Sequence, residues 1–182
     1  MKNAHTISLI ARGCRLGHAS PTFLILLFLQ GCATNPSEMV PTDAVVIKTH
    51  PKTVAVGTVS GNWPPLVHGE DFKQALEDSL LRYRSFSRVI KANSGEDYRI
   101  EATLLEMKQP FVGFTFTIKS VAHWRLLNAK TGSVVWEQTI DRHFTAGVGD
   151  AFVAAHRAQL ANEGAIRENI KAGIQEIGQL SP

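Results

Sequence analysis

The chain has 182 residues, 44% of them hydrophobic, with 19 Lys+Arg against 16 Asp+Glu and two cysteines. That is enough apolar material for one domain with its own core and too few cysteines for a disulfide scaffold. The pI near 9.0 invites a nucleic-acid reading, but Lys2, Arg12 and Arg15 all fall in the first 31 residues, and the rest holds 16 charges of each sign without a Lys/Arg run, which excludes that electrostatic footprint.

The first feature in chain order is "TFLILLFLQGCATNPS", Thr22 to Ser37. Its apolar run, Phe23 to Leu29, is seven residues long, far short of the roughly 20 that span a bilayer. It has no polar face at helical period, so it does not read as a core helix. A basic flank without acids, a short apolar run and a small residue before a cut are the parts of a secretory signal. Leu29-Gln30-Gly31-Cys32 resembles the bacterial lipobox. The resemblance implies cleavage between Gly31 and Cys32 and acylation of the Cys32 thiol; an ordinary secretory signal is the alternative. Cys14 would leave with residues 1–31, so no disulfide, zinc cluster or free thiol nucleophile is expected within one chain. Inner-membrane retention by the usual sorting rule needs Asp after the lipidated cysteine. Ala33 stands there, which implies the outer membrane, periplasmic face.

Residues 32–43 read as the lipidated cysteine and a tether. "ATNPSEMVPTD" holds Pro36 and Pro41 and no periodicity, so an extended or disordered leash of at most roughly 36 Å is expected. A single domain over 44–180 follows. "AVVIK" and "TVAVGTVSG" are β-branched runs split by "THPK" and predict one or two strands. "NWPPLVHG" is a loop, since Pro64-Pro65 cannot hold a central strand. "EDFKQALEDSLLRYRSF" predicts a helix with Phe72, Leu76, Ser79/Leu80 and Tyr83 on one face and Glu70-Asp71 at its positive end. "SRVIKA" is a short strand and "NSGED" a turn; Tyr98, Ile100, Ala102 and Leu104 then alternate with polar residues until "KQPFVG" breaks the strand at Pro110.

The next two runs form a long antiparallel hairpin around "NAKTGS". Phe114, Phe116, Ile118, Ala122, Trp124 and Leu126 share one face; Val134, Trp136, Ile140 and Phe144 continue it on the second strand. With the turn centred on Thr131, Leu126 opposes Trp136 inside and Arg125 opposes Glu137 outside, a register that satisfies both faces. From Asp150, the expected cap, to about Ile177 the chain reads as helix with an Ile166, Ile170, Ile174, Ile177 stripe; Gly164 and Gly173 inside it each cost about 1 kcal/mol unless close packing needs them. The sum is an α+β two-layer sandwich: a mainly antiparallel sheet of about four to five strands with two helices packed on one face.

Catalytic signals are thin. Gly147-Val148-Gly149 lacks the rest of a phosphate-binding loop. His123 and His143 share the outward hairpin face with Glu137 and Asp141, but the register sets His123 opposite Thr139 and His143 opposite Lys119, so a solvated polar face outweighs a metal site. No Gly-x-Ser-x-Gly elbow occurs. No catalytic residue, metal or cofactor is assigned. Two stretches qualify as a partner surface. Trp63 and Leu66 lie in the proline loop, with Trp63 either exposed or folded back on the sheet edge. His156, Arg157, Asn162, Glu163 and Arg167 make a dense polar helix face, either a partner surface or simply solvated.

"FKQALEDSLLRY", "YRIEATLLEM", "TGSVVWEQTI" and "DAFVAAHRAQLANEGAIRENI", with the lipobox, are together similar to a family of small proteobacterial lipoproteins of unassigned role. Some members bear the label UDP-N-acetylglucosamine acyltransferase. Lipid-A enzymes of that name are β-helices of hexapeptide repeats with a catalytic His, and no such period exists here. The element order more distantly resembles lipoproteins that assist lipopolysaccharide export or peptidoglycan synthesis. The resemblance implies a non-enzymatic accessory module that binds an envelope protein or glycolipid and is held to the membrane by the acyl chains on Cys32. The acyltransferase activity is the alternative.

Overall fold

Strict alternation of apolar and polar residues builds the sheet, and it does so where the sequence indicates. The computed structural model describes residues 34–108 and 114–181; the basic and apolar leader, Cys14, Gly31, Cys32, Ala33 and the segment around Pro110 lie outside them. Five strands, β1 (His50–Gly61), β2 (Phe86–Val89), β3 (Tyr98–Lys108), β4 (Phe116–Asn128) and β5 (Val134–Ala146), are ordered β2-β1-β3-β4-β5. β3, β4 and β5 form an antiparallel meander, while β1 runs parallel to both β2 and β3. A parallel neighbour needs a crossover, and helix α1 (Gly69–Tyr83) supplies it between β1 and β2. Helix α2 (Ala154–Ile177) follows β5. The fold is therefore α+β, and the hairpin register pairs Leu126 with Trp136, Arg125 with Glu137 and His123 with Thr139.

One face of the sheet carries both helices. Tyr98, Ile100, Ala102 and Leu104 of β3 and Ala122, Trp124 and Leu126 of β4 are buried with Phe72, Leu76 and Leu80 of α1 and the four-isoleucine stripe of α2, while Ile118 packs in a second cluster with Ala161 and Ala165 of α2. Trp124 joins the layers. Its ring centroid lies 5.7 Å from that of Phe72, and its indole Nε1–H donates to Asn169 Oδ1 at 2.9 Å. The Asn169 amide donates in turn to the Ile140 carbonyl at 3.0 Å. Both helix glycines are explained by this packing. A Cβ at Gly173 would stand 2.9 Å from the Trp124 ring, and one at Gly164 would collide with Phe144.

Several boundaries differ from the sequence reading. Residues 44–49 form no strand, and Val45 and Ile47 are exposed. β2 begins only opposite His50 and β3 only opposite Val54, so the earlier residues have no ladder partner. "THPK" does not split the strand but lies at an irregularity in the register between His50 and Thr53. Phe114 stands outside β4 and is exposed. α1 stops at Tyr83 because Arg84 turns left-handed (φ 50°), which frees Phe86 to pack against His50 and Tyr98 in the sheet. Asp150 does not cap α2, which starts at Ala154; its carboxylate instead accepts the Gly147 amide at 2.8 Å, closing the preceding turn.

The turn before β3 is pinned by a buried acid. Glu96 accepts from the Asn93 and Ser94 amides at 3.1 Å each and from Arg99 Nε at 3.0 Å. The Arg99 guanidinium first, and then the turn amides, hold its carboxyl down to about 2 against the opposing effect of burial. A carboxyl lowered in the fold contributes stability above its unfolded value near 4.5 and loses it as pH falls towards 2. In denaturant unfolding, Glu96→Gln should therefore be less stable than the parent at neutral pH, and the gap should close between about pH 4.5 and 2. Gly173→Ala should destabilise by about 1–3 kcal/mol in urea, against the roughly 1 kcal/mol gain that helix propensity alone gives; a net gain would mean that Trp124 can yield.

Candidate functional site

The segment from Thr34 to Asp43 is the structural surprise, because it is packed rather than extended. Asn35 caps a 3-10 turn, Pro36–Met39, accepting from the Ser37 amide at 3.1 Å. The turn drives Met39 into the core, where it is fully buried. The backbone is stitched on both sides. Asn35 N–H donates to Glu163 Oε1 at 2.8 Å, and Arg167 Nη1 donates to the Glu38 carbonyl at 2.8 Å, both on α2. Tyr83 at the end of α1 donates its hydroxyl to the Pro41 carbonyl at 2.8 Å. Lys171 Nζ reaches Asp43 Oδ2 at 2.5 Å, and this bond lowers the Asp43 carboxyl and raises the Lys171 amine. At the leading end Thr34 N–H donates to the Leu66 carbonyl at 3.2 Å, and its hydroxyl lies 2.8 Å from Asp71 Oδ2. The expected leash over residues 33–43 is thus corrected from Thr34 onward. Two apolar residues, Met39 and Val40, are too few to show a period, but one buried turn needs no more.

The same contacts account for the dense polar face of α2. Glu163 is buried and also receives Gln159 Nε2 at 3.0 Å. Asn162 is buried beside it. Arg167 stacks 5.1 Å over the Phe144 ring while holding Glu38. Arg157 is buried, donates to the Ala151 and Phe152 carbonyls at 2.8 and 2.6 Å, and covers the Phe116 ring at 5.8 Å. Arg157, Asn162 and Glu163 are buried instead of solvated; Glu163 and Arg167 dock the chain's own N-terminal segment, and Arg157 holds the turn before α2. Trp63 folds back over Gly69 and packs 5.7 Å from Phe72. Leu66 and His156 alone of the seven candidates stay exposed. The sequence reading also missed Asn169 and His50, the latter buried with Nε2 2.8 Å from the Ile177 carbonyl at the end of α2; neither has a local motif, since each is defined by what lies across the layer.

An open groove of about 820 Å³ runs along α1 past Glu70, Lys73, Gln74 and Glu77 to Lys91–Asn93, and no His, Ser, Thr or Cys lines it. On the outer sheet face Lys119 pairs with Asp141 at 3.0 Å and Arg125 with Glu101 at 3.4 Å, the exposed cross-strand pairs of a solvated surface. His123 Nδ1 lies 3.3 Å from Thr139 Oγ1, and its Nε2 is 3.9 Å from Glu137. His143 sits opposite Lys119.

No family model matches the chain, and no curated protein matches its sequence. Solved structures do match its fold. A DUF330 protein from Xanthomonas campestris superposes with a TM-score of 0.54 at 12% identity, over 72% of this chain and 91% of that one. The chain of the PelC dodecamer from Paraburkholderia phytofirmans gives 0.50 at 13% identity, over 77% and 96%. Lipoprotein GNA1162 from Neisseria meningitidis gives 0.43 at 12% identity, over 71% and 100%. At such identities the first two show likeness of fold alone, and the third is too distant to add weight. None of the three is described as an acyltransferase.

The packed segment has a direct test. Met39→Ala should cost about 2–5 kcal/mol in denaturant unfolding, as for a buried methionine. A leash residue would change stability by less than about 0.5 kcal/mol.

Proposed function

We propose that this chain is an envelope lipoprotein, cut after Gly31 and acylated on Cys32, whose single domain acts by binding a protein or glycolipid of the envelope rather than by catalysis. The observation that carries the reading is positional. Thr34, the first described residue and the second after Cys32, is already packed against the domain. The binding role is supported by where the polar side chains go. Arg157, Glu163, Arg167 and Asn169 are committed to backbone carbonyls, to the N-terminal segment or to Trp124. Ala33 after the cysteine favours the outer membrane, facing the periplasm.

Replacement of the acylated residue tests the anchor. Cys32→Ala should abolish palmitate labelling and move the protein from the membrane pellet to the soluble fraction, while the parent bands with outer membrane on a density gradient. A variant that still labels and pellets overturns the reading.

A further inference from the structure

Strand polarity gathers several chain ends at one end of the domain. β1 finishes at Gly61 opposite Leu104, β3 finishes at Lys108 opposite Lys119, and β4 starts at Phe116 opposite Ala146, where β5 finishes. α1 and α2 both begin beyond these ends. Thr34 is bonded at the same end, to Leu66 and Asp71. Leu66 and the first turns of α2, Ala155 and Ala158, lie around it.

The two large apolar side chains most open to water among the described residues, Phe152 and Phe114, are also here, while Ile47 at 78% and Val45 at 66% lie elsewhere, ahead of β1. Phe152 is 95% exposed, Phe114 83%, Val153 65% and Leu66 55%. Phe152 and Val153 are not a frayed loop. The buried Arg157 guanidinium binds the carbonyls of Ala151 and Phe152 from below, fixing the backbone while the Phe152 ring points away from the core. A charged group is buried to hold an aromatic side chain out in solvent.

We infer that this end of the domain is a membrane-contacting face, with Phe152, Val153 and Leu66 seated in the headgroup–acyl boundary of the bilayer that holds Cys32. The inference rests on the acylation proposed above. Its carrying observation is chain length. Only Ala33 separates Cys32 from Thr34, two residue steps with a reach of at most roughly 7 Å. The acyl chains therefore enter the bilayer beside the Thr34 surface, and the domain has no slack with which to stand off. Aromatic and aliphatic side chains at such a surface add interfacial burial to the anchor. Contact is peripheral: among the described residues no helix is long and apolar enough to cross a membrane. The β4–β5 turn at Ser133 lies at the opposite end, roughly 40 Å away along β5 at about 3.3 Å per residue.

The test uses the full-length, processed protein reconstituted into phosphatidylethanolamine–phosphatidylglycerol vesicles. Acylation of Cys32 leaves no free thiol, so Phe152→Cys, Leu66→Cys and Ser133→Cys each accept one environment-sensitive fluorophore. Probes at 152 and 66 should shift to the blue and lose at least half their emission to brominated acyl chains, while the probe at 133 should do neither. Flotation is scored on the same samples. Protein that floats while 152 and 66 behave like 133 overturns the membrane face and leaves the anchor standing. Failure to float overturns the anchor itself. A shift at 152 that follows protein concentration without lipid means that a second copy covers this end, and the membrane assignment falls.

Discussion

Trp124 is the side chain on which the two layers depend. It sits at the middle of β4, touches Phe72 of α1 and the Gly173 backbone of α2, and hands its only polar atom to Asn169. A buried indole N–H without a partner would cost about 1–3 kcal/mol, so Asn169 must face inward at this point along α2. Asn169 then needs acceptors of its own and finds the Ile140 carbonyl on β5. One bulky residue thus fixes the rotation of α2, its height over the sheet and its approach to the edge strand. Gly164 and Gly173, which look like helix defects in isolation, are where the helix closes onto aromatic rings.

Much of this was legible in the sequence because it is periodic. The alternation in 98–104 and 116–126 placed the inner face of the sheet, and the opposed demands of Leu126 with Trp136 and Arg125 with Glu137 fixed the hairpin register before any coordinates. What was not legible lacked a period or depended on a partner. "AVVIK" has strand composition, but a strand is made by neighbours, and none reaches residues 44–49. Asp150 looked like a helix cap and instead closes the turn before it. The polar face of α2 was read as a surface because local sequence cannot distinguish a solvated glutamate from one that receives a backbone amide from 128 residues away.

That last error bears on function. A helix face rich in charge suggests an external partner, but here the partner is the start of the same chain. Once Thr34 to Asp43 is docked, the two most exposed aromatic side chains among the described residues, Phe152 and Phe114, stand at the end where Thr34 is bonded. The partner of stated chemistry that fits them is a lipid surface, while the outer sheet face, with its paired charges, is directed away from the helices and stays solvated. Likeness of fold to a DUF330 protein and to a PelC chain agrees with the architecture without deciding among these surfaces.

The seating of Thr34 also constrains the order of events in maturation. A peptidase that cuts before Cys32 must grip an extended stretch on both sides of the bond, yet Thr34 and Asn35 are tied to Leu66, Asp71 and Glu163 in the finished fold. The proposed cut and the observed docking would compete for the same few residues. Under the proposed cleavage, the sheet and helices could form while the leader is attached, and the N-terminal turn would close after release.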